Sequence, residues 1–214
     1  MSGVQFPGAL LIQFAKSPRL GAVKTRMQPT LTPEQCLDLH CRLVRHVYRT
    51  LHEAELAPVE LWATDEPGFE FFNTLLPEPS VRLQYGKDLG ARMYNAIADG
   101  LNRAETIVLL GSDCPFFNRD ILCQALSLLD AGEECVLGPA SDGGYVLIGL
   151  RRLARNLFEN IAWGTEAVLA ETRTRLRSSG FSWAETEVLH DIDTGHDLKY
   201  LTELKQYEDL VLIH

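Results

Sequence analysis

The sequence predicts an α/β protein built on a mostly parallel central sheet flanked by helices. Three observations carry that reading. Short apolar runs alternate along the chain with stretches of helical, amphipathic periodicity. The central run, residues 106–110, is apolar without alternation, as a strand buried on both faces is. It stops at Gly111 and delivers Asp113 just past its carboxyl end, the edge at which open α/β sheets hold their ligands.

In chain order, residues 10–15 form the first strand and end at Lys16. The loop 16–26 follows, kept irregular by Pro18 and Gly21. Thr32-Pro-Glu-Gln35 is a capping box with proline at the first helical position, so a helix runs to about residue 51. Leu37, Cys41, Val44 and Tyr48 are its expected buried face. Strands are expected at 59–63 and 81–85, with a short helix at 69–76 between them. A turn over 86–90 leads into a helix at 91–103, with Met93, Ile97 and Leu101 inward. Beyond the central strand, Asn118 caps a helix at 120–129, a strand follows at 134–138, and 139–144 turns the chain into a strand at 145–148. Thr165 is the expected N-cap of a helix at 166–177 that Gly180 closes. A strand at 183–189 and a helix at 195–206, opened by a Thr194 and Asp197 box, complete the order.

The 214 residues, 46% hydrophobic and 23% charged with no linker-like stretch, read as one domain with a sizeable core. The early apolar stretch 9–12 is too short to span a membrane and follows no basic segment, so neither anchor nor leader is expected and a cytoplasmic location is the default. Five cysteines without CxxC spacing suggest neither a disulfide framework nor zinc, and six histidines show no ligand spacing. A net charge of −9 argues against nucleic acid as a partner.

The distribution of charge says more. Residues 1–33 contain no Asp or Glu, yet Lys16, Arg19, Lys24 and Arg26 crowd into one loop. A cationic loop in an acidic protein points to a small bound anion, phosphate above all. Val23 stands where a P-loop needs glycine before Lys24 and Thr25, and no G-x-G-x-x-G follows the first strand, so the Walker and dinucleotide readings fail. Asp113, Asp142, Asp191 and Asp193 all fall at or just after strand ends, on the edge where the cationic loop opens. Asp191 and Asp193 are two apart and share a face in extended backbone. Taken singly, Asp113 reads as a helix cap and Asp142-Gly-Gly144 as hairpin chemistry. Taken together, carboxylates facing an anion site repel unless a divalent cation lies between, and Mg²⁺ or Mn²⁺ held by carboxylates and substrate phosphates fits.

Four stretches in this order, Phe14-Ala-Lys-Ser-Pro-Arg-Leu-Gly-Ala-Val-Lys-Thr-Arg26, Gly111-Ser-Asp-Cys-Pro115, Gly138-Pro-Ala-Ser-Asp-Gly-Gly-Tyr145 and Asp191-Ile-Asp-Thr194, resemble the radical-SAM/selenodomain-associated transferase 1 family. That family is similar to nucleotidyltransferases of the glycosyltransferase-A fold, among them 2-phospholactate guanylyltransferase and molybdenum-cofactor guanylyltransferase. The resemblance implies a glycosyltransferase-A, or nucleotide-diphospho-sugar transferase, fold over nearly the whole chain. It implies Asp113 as one metal ligand, Asp193 or Asp191 as the other, and Lys24 and Arg26 as the phosphate-binding end of the first loop. Two departures matter. Better-known relatives carry Gly-Gly where Lys16-Ser-Pro18 stands, which leaves base recognition open. Sugar transferases of the fold usually carry Asp-x-Asp where this chain has Ser112-Asp-Cys114, which favours nucleotidyl transfer.

The expected reaction is Mg²⁺-dependent transfer of a nucleotidyl group from a nucleoside triphosphate to a small acceptor bearing phosphate or carboxylate, with Lys24 and Asp113 catalytic. The phosphates would lie on Lys16, Arg19, Lys24, Thr25 and Arg26, and the acceptor against Asp142, Gly143, Gly144 and Tyr145, with Trp163 and Thr165 as neighbours. The alternatives are a glycosyltransferase using a nucleotide-sugar donor on the same metal site and a nucleotide-binding protein without catalysis.

Overall fold

The computed structural model describes residues 3–28, 30–64, 69–202, 207 and 210. Seven strands, β1 (Ala9–Ala15), β2 (Val59–Ala63), β3 (Val81–Leu83), β4 (Thr106–Gly111), β5 (Cys135–Pro139), β6 (Tyr145–Leu150) and β7 (Trp183–Glu185), form one sheet in the order 3-2-1-4-6-5-7. All pairs are parallel except those of β6, which runs antiparallel to β4 and β5. The helices are α1 (Pro33–Glu53), α2 (Phe69–Phe72), α3 (Leu89–Leu101), α4 (Arg119–Asp130), α5 (Val168–Ser178) and α6 (Leu198–Thr202).

The layering follows from strand alternation. Ala9 and Leu11 of β1, with Val108 and Leu110 of β4, pack beneath α1 and α4. Leu10, Ile12 and Phe14, with Ile107 and Leu109, pack on the other side against α3 and α5. All seven residues of β1 are buried, and each fully buried Leu or Ile contributes about 1.5–3 kcal/mol. The sheet is thereby covered on both faces, which leaves its edges to carry loops and function. Among the described residues no helix is long and apolar enough to cross a membrane.

The expected elements appear with informative adjustments. Both halves of the Thr32 box form, and Asn118 caps α4. Leu37 and Cys41, expected inward, are only half-buried, whereas Cys36, Leu39, His40 and Leu43 are buried. The reason is that α1 faces a second apolar cluster with Ile192 and Leu201 besides the sheet, which widens and turns its buried stripe. α2 ends at Phe72, and Thr74 Oγ1 donates to the Phe71 carbonyl, a local bond that competes with further helix. α3 begins earlier than expected because Asp88 caps it, accepting from Ala91 N at 2.8 Å. Gly180, at φ +65°, closes α5 as expected, but Thr165 does not open it. The Thr165 hydroxyl donates to the Ala162 carbonyl at 2.8 Å, closing a local turn, and the cap position falls to Ala167. The expected helix at 195–206 is a 3₁₀ turn at Gly195–Asp197 followed by α6, and residues 203–206 lie outside the described residues.

Candidate active site

The loop after β1 is held by buried polar side chains. Gln13, wholly buried in β1, donates to the Val44 carbonyl at 3.1 Å and to Ser112 Oγ at 2.9 Å, and Ser112 Oγ donates to the Phe14 carbonyl at 2.8 Å. A buried amide is costly unless bonded, and here its bonds lock the end of β4, hence Asp113, to the end of β1. Gln84 performs the same service across the neighbouring strands, donating to the carbonyls of Ala15 at 3.2 Å and Trp62 at 2.8 Å. Thr64 Oγ1 accepts from Ser17 N at 3.1 Å, and His40 Nε2 donates to the Lys16 carbonyl at 2.9 Å. Burial lowers the His40 pKa, so the ring supports the loop as a neutral donor. These supports were absent from the sequence reading. A polar amide inside the otherwise apolar Leu-Leu-Ile-Gln-Phe-Ala run was the signal that could have found Gln13.

Lys24 turns inward. Its backbone is left-handed, φ +50° and ψ 34°, a conformation that costs a non-glycine residue about 1–3 kcal/mol and clusters at functional sites. The side chain is 3% exposed, and Nζ lies 2.5 Å from Asp113 Oδ1, 3.3 Å from Asp193 Oδ1 and 2.5 Å from the Ile192 carbonyl. Burial alone would lower the Lys24 pKa, but Asp113 and Asp193 outweigh it and the pKa is raised. Burial alone would likewise raise Asp113, and Lys24, helped by His40, brings it below its ordinary value. The pair is therefore ionised at neutral pH. Arg26 Nη1 lies 3.3 Å from Asp193 Oδ2 on the solvent side, and Thr25 is exposed beside it in a 3₁₀ turn.

Asp191 and Asp193 arrive by a route the sequence did not reveal. The expected strand at 183–189 stops at Glu185, after which the chain crosses the carboxyl edge of the sheet. Thr186 N donates to the Leu137 carbonyl, Leu189 N to Pro139, Ser141 N to Leu189 and Ile192 N to Asp113, each at 2.9 Å. Ile192 is buried, so Asp191 and Asp193 share the opposite face, as their spacing requires. Asp197 Oδ2 accepts from the backbone of Asp193 at 3.1 Å and of Thr194 at 2.6 Å, completing the predicted box. A methyl on Gly195 would lie 2.1 Å from Thr30 Oγ1, so glycine lets this segment meet the end of the first loop. Asp191 is pushed up to about 6 by burial first, then by the carboxylates of Asp142, Asp193 and Asp113.

Asp142 thus joins the carboxylate group, and its hairpin has a packing role as well. Asp142 Oδ1 accepts from Gly144 N at 2.8 Å. Gly143, at φ +88°, sits so close to α5 that a methyl there would fall 2.3 Å from the Glu166 carbonyl oxygen. Tyr145 meets Trp163 edge to face at 6.3 Å, and Trp163 packs on Gly90 at the start of α3. Lys16 and Arg19 stand apart from Lys24, lining an open cavity of about 440 Å³ together with Ser17, Thr64 and Arg92. Among the described residues, no three His, Cys, Asp or Glu side chains come close enough to hold a metal ion by themselves.

A seven-stranded sheet of order 3-2-1-4-6-5-7, parallel except for β6, with carboxylates at its carboxyl edge facing a cationic first loop, is the arrangement of the nucleotide-diphospho-sugar transferase fold. A provisionally named nucleotide-diphospho-sugar transferase from Desulfovibrio desulfuricans G20 is similar with a TM-score of 0.86 at 26% identity, over 96% of this chain and 97% of that one. CMP:2-keto-3-deoxy-manno-octonic acid synthetase complexed with CTP shares the fold at a TM-score of 0.61 and 12% identity, over 94% and 99% of the two chains. The inositol-1-phosphate CTP transferase from T. maritima shares it at 0.58 and 13%, over 96% and 95%. No match is found among curated proteins. Residues 36–165 match the family described as "Uncharacterized protein conserved in bacteria (DUF2064)", and the chain belongs to that family. The matched span holds Asp113 and Asp142 to Tyr145, while the cationic loop and Asp191 to Asp193 lie outside it.

Proposed function

We propose that this protein is a nucleotide-using transferase that moves a nucleotidyl group from a nucleoside triphosphate to a small acceptor bearing phosphate or carboxylate, with Mg²⁺ or Mn²⁺ at Asp113 and Asp193. The observation that carries this reading is the convergence of those two carboxylates, one from the end of β4 and one from the segment that crosses the carboxyl edge, on one buried ammonium. The resemblance of the four motifs to the radical-SAM/selenodomain-associated transferases supports the same class.

The donor set suits such a cation. Asp113 Oδ1 is buried against Lys24, yet the Asp113 side chain is 45% exposed and that of Asp193 35%. Each carboxylate therefore keeps an outward face. Mg²⁺ needs only one or two carboxylates when substrate phosphates complete its shell. When bound, the ion supplies neutralisation of charge on phosphate oxygens. The chain's own residues do the rest. Lys24 keeps Asp113 ionised and fixes its distance from Asp193, Arg26 steadies Asp193 from outside, and Lys16 and Arg19 offer charge to phosphates. An acceptor that carries its own anionic oxygen is already a nucleophile, so no protein base is required.

The likeness to the Desulfovibrio protein favours a second reading, glycosyl transfer from a nucleotide-sugar on the same residues. Incubation of the protein with each donor, Mg²⁺ or Mn²⁺, and a panel of acceptors separates the two. Release of pyrophosphate supports nucleotidyl transfer, and release of sugar with nucleoside diphosphate supports the second reading. Asp113→Asn should lower kcat by about 10²–10³, the scale of losing a preorganised charge in a catalytic site. Full metal-dependent turnover by that variant would sink both.

A further inference from the structure

Lys24 is committed. Its ammonium has three N–H donors and three acceptors around it, Asp113, Asp193 and the Ile192 carbonyl, so a phosphate could reach it only by displacing one of them. Three further cations, Lys16, Arg19 and Arg92, line the cavity of about 440 Å³, which is within the range of small-ligand sites.

Arg92 closes that cavity from a different element. It belongs to the first turn of α3, whose start is fixed by the Asp88 cap and by Gly90, where a methyl would fall 2.2 Å from the Phe158 carbonyl oxygen. Arg92 Nε donates to the Gly86 carbonyl at a long 3.4 Å, and among the described residues it has no carboxylate partner. Lys16, Arg19 and Arg92 thus surround one space in a chain of net charge −9. An anion entering that space would meet cationic side chains from two elements, the first loop and α3. The hydroxyl-bearing Ser17 and Thr64 complete a polar wall with no carboxylate among the described lining residues.

We propose that Arg92 is a substrate-binding residue that, with Lys16 and Arg19, holds the terminal phosphates of the nucleotide. The inference rests on the nucleotide reading above and refines it. Lys24 works inside, between the carboxylates, and the cavity cations hold the phosphate tail outside. A guanidinium suits this task because its planar fork can donate to two phosphate oxygens at once.

The test measures binding of inorganic tripolyphosphate, CTP, GTP, cytidine and guanosine, each with Mg²⁺, to the wild type, Arg92→Gln and Arg92→Lys. Arg92→Gln should weaken tripolyphosphate and both triphosphates by about ten- to a hundred-fold, the worth of a charge-assisted hydrogen bond. Arg92→Lys keeps the charge without the fork and should lose less. Both variants should melt as the wild type does without ligand, since the one described hydrogen bond they lose is long. Wild-type affinity for tripolyphosphate in both variants overturns the inference, as does a loss confined to the free nucleosides, which would make the cavity a base pocket. A wild type that binds tripolyphosphate, weakened in Arg92→Gln, but no nucleotide would overturn the nucleotide reading and leave the anion cavity standing.

Discussion

Asp191→Asn should stabilise the protein above neutrality and leave it unchanged near pH 4. The Asp191 carboxyl is half-buried, and its pKa is pushed from 3.8 to about 6, by burial first and then by Asp142, Asp193 and Asp113. A raised folded pKa means that the folded state binds the proton more tightly than the unfolded chain. The contribution of this group is therefore fully favourable below about pH 4 and is lost as pH rises through about 6. Two pH units at about 1.4 kcal/mol each would give about 3 kcal/mol for a fully shielded carboxyl. Partial exposure brings that to about 1–2 kcal/mol. For a chain of this length each kcal/mol moves Tm by about 2–4 °C, so the variant should melt about 2–8 °C above the wild type at pH 8. Thermal unfolding of both proteins in chelator at pH 4, 6 and 8 is the measurement. A difference that does not change with pH, or a variant that melts lower at pH 8, would show that the Asp191 carboxylate is stabilised by its surroundings rather than crowded by like charge.

Two further substitutions probe the frame of the site. Lys24→Met strips the buried counter-charge from Asp113; one-sided loss of a buried ion pair costs about 3–5 kcal/mol, which the exposure of the two carboxylates reduces to about 1–3 kcal/mol. Because the Asp113 pKa is depressed and that of Lys24 raised, the pair contributes between about pH 4 and pH 10, so the Tm deficit should be present at pH 7 and shrink as acid protonates Asp113. Gly143→Ala combines φ +88° with a 2.3 Å approach to the Glu166 carbonyl oxygen and should cost more than 2 kcal/mol by denaturant unfolding. Gly164→Ala, at φ +80° with nothing within 4 Å, isolates the backbone strain and should cost about 1 kcal/mol; equal losses at the two glycines would refute the contact.

What the sequence made legible were features that are local or that bury on both faces. Thr32 with Gln35, Asn118, and Thr194 with Asp197 act within one helical turn, so their patterns survive without tertiary knowledge. β1 and β4 read as strands because two covering layers leave no polar alternation to interrupt them. Pairing is different, since nothing local tells β6 to insert between β4 and β5. β7 ends short of the expected residue 189 because Thr186 and Leu189 still bond to the sheet while exposed Glu187 and Val188 leave the ladder. Asp113, Asp142, Asp191 and Asp193 were found together because strand ends share an edge, but the path that brings Asp191 and Asp193 there is a crossing segment, not a strand end. Arg92 is not legible in the sequence, because the periodicity of α3 marks its inward residues and the face that meets the cavity carries no period of its own.

Lys24 changes the electrostatic reasoning most. The charges in the sequence set a cationic loop against carboxylates and call for a divalent cation between them; in the fold the loop itself supplies a positive charge there, through a strained left-handed residue, Lys24. That ammonium lies 2.5 Å from Asp113 Oδ1 and 3.3 Å from Asp193 Oδ1, and Arg26 reaches Asp193 Oδ2. Lys24 and Arg26 thus offset the charge of the Asp113 and Asp193 pair, and a divalent ion under the proposed function would draw the rest of its anionic shell from substrate phosphates. Simple Coulomb counting would have the removal of Lys24 help such an ion to bind. Preorganisation says the reverse, because without the ammonium the two carboxylates repel and must be brought together at the moment of binding. The same Lys24→Met protein, titrated with Mg²⁺ and nucleotide, separates these views: weaker metal-dependent binding means Lys24 holds the pair in place, and tighter binding means it merely competes for it.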